Sequence, residues 1–207
     1  MLTTIFVRHG MSGWNRRGLM QGQADSPGLT TAGRAQAEQA AASLVGCGAT
    51  VLLSSDLRRA RQTAGILSGA LELPVLTETR LRERNLGTAE GRLSSPAMLE
   101  TLGIVDDRVL DPHCSPTGGE TVAQLYLRVT TLVAELCRMH PDTTVVLATH
   151  GGVIRVARHW AGAGGAGVSG AEAGPPGPGA LDLAGMPWLE VANGSVWTWQ
   201  WPTDPLS

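Results

Sequence analysis

Apolar and β-branched residues occur in short runs separated by longer stretches of helical periodicity. The runs at 2–6, 51–53 and 145–148 are too short for helices and have the length of buried strands. Residues 122–139 differ: Val122, Leu125, Val129, Leu132, Val133 and Leu136 recur at spacings of three and four, which predicts a helix with one face on a sheet. An Ala-rich helix is expected over 32–44, capped by Thr30 or Thr31. Another runs from an Asp56 cap to about Leu71, and a fourth spans 153–160. Residues 74–76 read as a short edge strand. At the end of the chain, 188–192 and 195–201 flank Asn193-Gly194, which predicts a hairpin. Alternation of strands with helices points to an α/β fold with a mostly parallel sheet.

Composition narrows this picture. At 207 residues, one domain with a full core is the natural size. A net charge of −2 gives no reason to expect nucleic acid or an anionic membrane as a partner. All 16 basic residues are Arg, so any phosphate contact from a basic side chain must use a guanidinium fork. Cys47, Cys114 and Cys137 have neither disulfide-framework nor zinc spacing, and no run approaches the 18 or so apolar residues of a membrane span. With a strand beginning at residue 2 and no leader pattern, a cytoplasmic location is expected. Trp197, Trp199 and Trp201 alternate onto one face. They would cover core, or, if exposed, form a homodimer surface.

The candidate chemistry lies where strands end. The first run leads into Arg8-His9-Gly10, the second into Ser54-Ser55-Asp56 with Arg58, Arg59 and Arg61 following, and the third into Thr149-His150-Gly151-Gly152. Ligands of parallel sheets bind outside the carboxyl ends of the strands. These ends therefore predict one anion site, to which the start of the helix after His150 adds backbone amides, Gly151 first.

Taken in order, Arg8-His9-Gly10, Ser54-Ser55-Asp56-Leu57 with Arg59-Ala60 and Gln62-Thr63-Ala64, and Thr149-His150-Gly151-Gly152 resemble the histidine phosphatase superfamily, the phosphoglycerate mutase-like proteins. The resemblance implies a three-layer sandwich, a central sheet flanked by helices, in one domain over 1–207. It implies His9 as nucleophile, Glu83 as the acid that exchanges a proton with the leaving group, and His150 as a hydrogen-bonding partner of the transferring group. Arg8, Arg59, Asn15, Ser12 and Gly151 would bind phosphate, with no metal and no cofactor. Met11 departs from the family's acidic residue at the pocket rim, and the inserted Gly28 leaves 22–28 without assigned roles. Glu90 would fix a loop and Glu120 support the site, while Arg58 and Arg61 would be solvated. Residues 92–118 would form a variable roof, with Arg92, Arg108 and His113 as candidate substrate contacts. The Gly- and Pro-rich stretch 161–185 would be a flexible loop.

Lacking the mutase's usual stretches around 86–118, the chain is expected to be a metal-independent phosphomonoesterase, histidine acid phosphatase-like, acting on a small-molecule phosphate ester through a phosphohistidine. The alternatives are mutase-type phosphoryl transfer and a non-catalytic phosphate-ligand or protein-binding member of the fold.

Overall fold

The computed structural model describes residues 1–162, 183–188 and 190–202. In chain order these form β1 (Leu2–Arg8), α1 (Gly13–Arg16), α2 (Thr31–Leu44), β2 (Ala49–Ser54), α3 (Arg58–Leu71), β3 (Val75–Thr77), α4 (Pro96–Glu100), β4 (Ile104–Val105), β5 (Arg108–Val109), α5 (Val122–Met139), β6 (Thr144–Thr149), α6 (Gly151–Trp160) and β7 (Val196–Trp201). The main sheet has the order β3-β2-β6-β1-β7, with the first four strands parallel and β7 antiparallel to β1. The expected fold class is the observed one.

Period-two alternation builds the three layers. Phe6, Leu53, Val145 and Leu147 point into a core shared with α5 and α6. Their neighbours Ile5, Val7, Leu52, Val146 and Ala148 point into a second core under α2 and α3. Strands buried on both faces need nearly continuous apolar sequence, which explains why these runs lack polar alternation. All six apolar positions predicted for the face of α5 are buried.

Two expectations need correction. Among the described residues of 188–192 none pairs with β7, so the expected C-terminal hairpin is not found there. The turn at Asn193-Gly194 forms, but β7 takes the open edge of β1, with Leu2 opposite Trp201 and Val7 opposite Val196. The preceding segment joins the roof instead: Pro187 bridges Arg108, and Trp188 N–H donates to the Asp107 carbonyl at 2.6 Å. Asp56 does not cap α3, whose N-cap is Leu57. Its carboxylate is held by the Arg82 guanidinium, and the Ser55 hydroxyl accepts the Leu57 N–H at 3.3 Å. A bidentate charged pair outcompetes a single cap hydrogen bond. None of the three alternating Trp rings is exposed. Trp201 stacks on Trp160 at 4.7 Å and donates to the Thr4 hydroxyl at 2.7 Å, while Trp199 meets Phe6 edge-on at 5.2 Å.

The roof over 92–118 has structure of its own. In the β4–β5 hairpin, Asp106 and Asp107 both take positive φ, 47° and 55°, the backbone of a tight two-residue turn whose twist matches its strands. Of the stretch 161–185, residues 163–182 lie outside the described residues. Leu183, near its end, is buried in the core rather than part of a loose loop.

Candidate active site

β1 and β6 are neighbours, and His9 N–H donates to the Thr149 carbonyl at 2.9 Å, so the two His-bearing strand ends are tied together. The His9 and His150 rings meet edge to face at 5.1 Å, with 2% and 0% of their surfaces exposed. On the α2 side, glycine lets the loop after His9 pack directly against the start of α2. A Cβ at Gly10 would lie 2.0 Å from the Gly33 carbonyl oxygen, and one at Gly33 would lie 2.1 Å from that of Met11.

His9 Nδ1 lies 2.8 Å from the Gly10 carbonyl oxygen. A ring nitrogen facing a carbonyl must carry the proton, which leaves Nε2 with its lone pair. Arg59 Nε donates to that Nε2 at 3.3 Å. Burial, then the positive charges of Arg59 and Arg8, hold His9 well below the usual imidazole range. His150 is depressed in the same way, by burial first and Arg59 second. Its Nε2 lies 2.9 Å from the Ser55 hydroxyl, while its buried Nδ1 has no hydrogen-bond partner. The Ser55 hydroxyl also accepts the Leu57 N–H and, with one proton and two lone pairs, can pair with His150 Nε2 in either tautomer.

Arg59 is fully buried and reaches back from the first turn of α3. Its Nη1 and Nη2 donate to the Ala24 and Gly22 carbonyls at 2.8 and 2.7 Å. Residues 22–28, without assigned roles in the sequence, thus hold the guanidinium in place. Arg8 donates from Nη1 to the Val191 carbonyl, and its buried Nε has no partner. Desolvation lowers both guanidinium groups to about 10, for Arg8 with help from the nearby Arg155 charge.

Glu83 sits at the start of α6. Both its carboxylate oxygens accept the Gly152 N–H at 3.1 Å, and Oε1 also accepts the Arg84 N–H at 2.8 Å. Neither flanking Arg pairs with it: Arg82 holds Asp56, and Arg84 donates to the carbonyls of Glu120, Leu102 and Cys114. Glu120 does support the site, through Arg128, which donates to the Arg80 and Glu83 carbonyls at 2.6 and 2.9 Å. Glu90 fixes a loop as expected, accepting the Gln23 and Leu86 N–H groups.

A cavity of about 350 Å³ opens here, lined at its base by Arg8, His9, Asn15, Arg59 and Glu83. Ser12 is not on its wall. Its hydroxyl caps α1 by accepting the Asn15 N–H and donates to Gln21 Oε1 at 2.7 Å, while Asn15 Oδ1 closes the capping box on the Ser12 N–H. The phosphate role assigned to Ser12 therefore becomes one of positioning Asn15 and Gln21. His150 and Gly151 lie behind the lining, His150 against His9 and Gly151 under Arg155 and Arg8. Met11 is not at the rim but anchors α2, its N–H donating to Gln36 Oε1. None of Arg92, Arg108 and His113 reaches the cavity; all three are exposed.

The wall contains residues the sequence reading did not assign: Gln21, Arg155, Trp188, Glu190 and Asp107. Arg155 lies four residues after Gly151, one helical turn on, and its guanidinium covers Trp188 at 4.9 Å. That spacing after the His150 motif was the available signal. Among the described residues, no group of three His, Cys, Asp or Glu could hold a metal ion, and no helix is long and apolar enough to cross a membrane.

The family model of the histidine phosphatase superfamily (branch 1) matches residues 4–172. A probable phosphoglycerate mutase of Enterobacter sp. (strain 638) is 35% identical over 159 residues, covering 73% of this chain and 70% of that protein. Phosphoglycerate mutase-like protein 4 of Arabidopsis thaliana is 37% identical over 156 residues, covering 73% and 67%. Among solved structures, a mycobacterial glucosyl-3-phosphoglycerate phosphatase complexed with VO3 superposes with a TM-score of 0.76 at 30% identity, covering 98% of this chain and 97% of that one.

Proposed function

The chain belongs to the histidine phosphatase superfamily, and on that premise we propose that it hydrolyses a small-molecule phosphomonoester through a phosphohistidine, without a metal ion. The observation that carries this reading is His9 itself: a buried, neutral imidazole whose Nε2 lone pair faces a desolvated guanidinium. A binding protein gains nothing from such a nucleophile beside a carboxylic acid.

In this mechanism the phosphate lies between Arg8 and Arg59, whose remaining N–H groups and low-dielectric surroundings favour a dianion. His9 Nε2 attacks phosphorus, the P–O bond to the leaving group breaks, and Glu83 gives that oxygen a proton. His150 donates a ring N–H to the transferring oxygens as charge spreads over them. Water then attacks phosphorus, Glu83 recovers a proton from it, and the P–N bond breaks to release inorganic phosphate. Positioning and charge neutralisation, the main needs of phosphoryl transfer, come from the Arg residues.

The test is phosphate release from a panel of phosphomonoesters in the presence of a chelator, with wild type, His9→Ala and Glu83→Gln. Wild type releases phosphate, and His9→Ala loses at least about 10³-fold. Glu83→Gln loses about 10²–10⁴-fold on alkyl esters and much less on esters with good leaving groups. A wild type that forms acid-labile phosphoprotein but isomerises phosphoglycerate instead of releasing phosphate would move the reading to the mutase activity named for the two relatives. Full activity in His9→Ala overturns both.

A further inference from the structure

The base of the cavity, with Arg8 and Arg59, is suited to phosphate. Its other half is walled by a small apolar cluster separate from the two cores of the sandwich, in which Leu86, Leu102 and Ile104 are buried and Leu99, Met20 and Trp188 pack against them. Every one of these six side chains also lines the cavity, so the cluster presents its apolar face to whatever the phosphate is attached to.

The charges in that half balance, two acids against Arg84 and Arg155, and both cations are already engaged. Asp107, carried by the β4–β5 turn, and Glu190 both line it. Arg84 is consumed by three main-chain carbonyls. Arg155 is stacked on Trp188, and Glu83, Glu190 and Asp107 all act on its charge. A carboxylate on the leaving group would give up water beside an apolar wall without gaining an unshared cation, since Arg84 is held by carbonyls and Arg155 lies over Trp188. A volume of about 350 Å³ is near the lower end for small-molecule sites, so the leaving group is compact.

We infer that the leaving group this site accepts is small, uncharged and apolar, an aryl-bearing or alkyl alcohol, and that acidic alcohols such as phosphoglycerate are disfavoured. This rests on the phosphate cradle of the proposed function, but its test does not need turnover. Binding of 2-phenylethylphosphonate, 2-hydroxyethylphosphonate and 2-carboxyethylphosphonate to the whole chain is measured by calorimetry at neutral pH. The phosphonate group is common to all three, so differences report the other half of the cavity.

The phenyl compound is expected to bind at least about tenfold tighter than the hydroxyl compound, as burial of one ring requires, with the carboxylate compound weakest. In Trp188→Ala and, at a half-buried wall position, Leu99→Asn, the phenyl-to-hydroxyl ratio falls toward one. In Asp107→Asn combined with Glu190→Gln, the carboxylate compound gains several-fold on the hydroxyl compound. A carboxylate compound that binds wild type as tightly as the phenyl one overturns the inference, as does a phenyl preference that survives both wall variants. Loss of the phosphatase reading would appear separately, as binding in this order without release from any ester. No binding by any of the three overturns the cradle and the inference together.

Discussion

Burying two imidazoles beside two guanidinium groups has a cost that depends on pH. His9 and His150 both sit well below the usual imidazole range in the folded chain, because burial and then the Arg charges oppose protonation. In the unfolded chain each takes up a proton near pH 6.5. Below that pH the unfolded state binds more protons than the folded one, so stability falls as the solution is acidified, by up to about 1.4 kcal/mol per pH unit for each His. Urea unfolding midpoints should therefore decline from pH 7 to pH 5, and His150→Gln should show a shallower decline than wild type. An identical slope in the variant would mean that His150 titrates normally in the fold. The same depression keeps the His9 lone pair available over that range, so loss of activity on the acid side should follow unfolding rather than protonation of the nucleophile.

At the scale of elements, the start of α6 is where backbone and side chain are most closely fitted. The Gly152 N–H is the donor that both Glu83 oxygens use, and a Cβ on residue 152 would come within 2.1 Å of Glu83 Oε1. Gly152→Ala should displace the carboxylate and lower kcat by about 10²-fold or more on alkyl esters, the lower end of what general acid catalysis contributes. Esters with good leaving groups should be affected least. Gly13→Ala, in the first turn of α1, has nothing within 4 Å of its Cβ and should leave the rate near wild type. Comparable losses in the two variants would mean that the fit at Gly152 is unimportant. The fold elements were mostly legible at this scale, since short continuous apolar runs and a regularly spaced helical face are local properties of the sequence. The β4–β5 hairpin was not, because Asp106-Asp107 lacks the usual Gly that announces such a turn.

For the whole molecule, Arg84 joins parts that are far apart in the chain. Its buried guanidinium donates to the carbonyls of Leu102 in the roof, Cys114 in the following loop and Glu120 at the entry to α5. Replacing it with Met would leave three carbonyls short of donors, at roughly 2–4 kcal/mol in all. The denaturation midpoint of Arg84→Met should fall accordingly, and KM should rise more than kcat falls, because the roof carries the leaving-group wall. An unchanged midpoint would mean that water satisfies these carbonyls and that the roof is held otherwise.

The sequence by itself determined which residues could form strands and helices, and that Arg8, His9, Arg59 and His150 would stand at strand ends and helix starts. These follow from the length of apolar runs, helical spacing and strong local turn residues, which act over a few residues. Only the tertiary structure decided the pairings across long separations: Asp56 with Arg82 rather than with its own helix, β7 with β1 rather than with 188–192, and Ser12 with Gln21 rather than with the cavity. It also decided that Arg155, Trp188, Asp107 and Glu190 share one wall. Each of these side chains or segments has several local partners of similar worth. The choice among them is made by which distant groups the packed layers bring within hydrogen-bonding distance and shield from water.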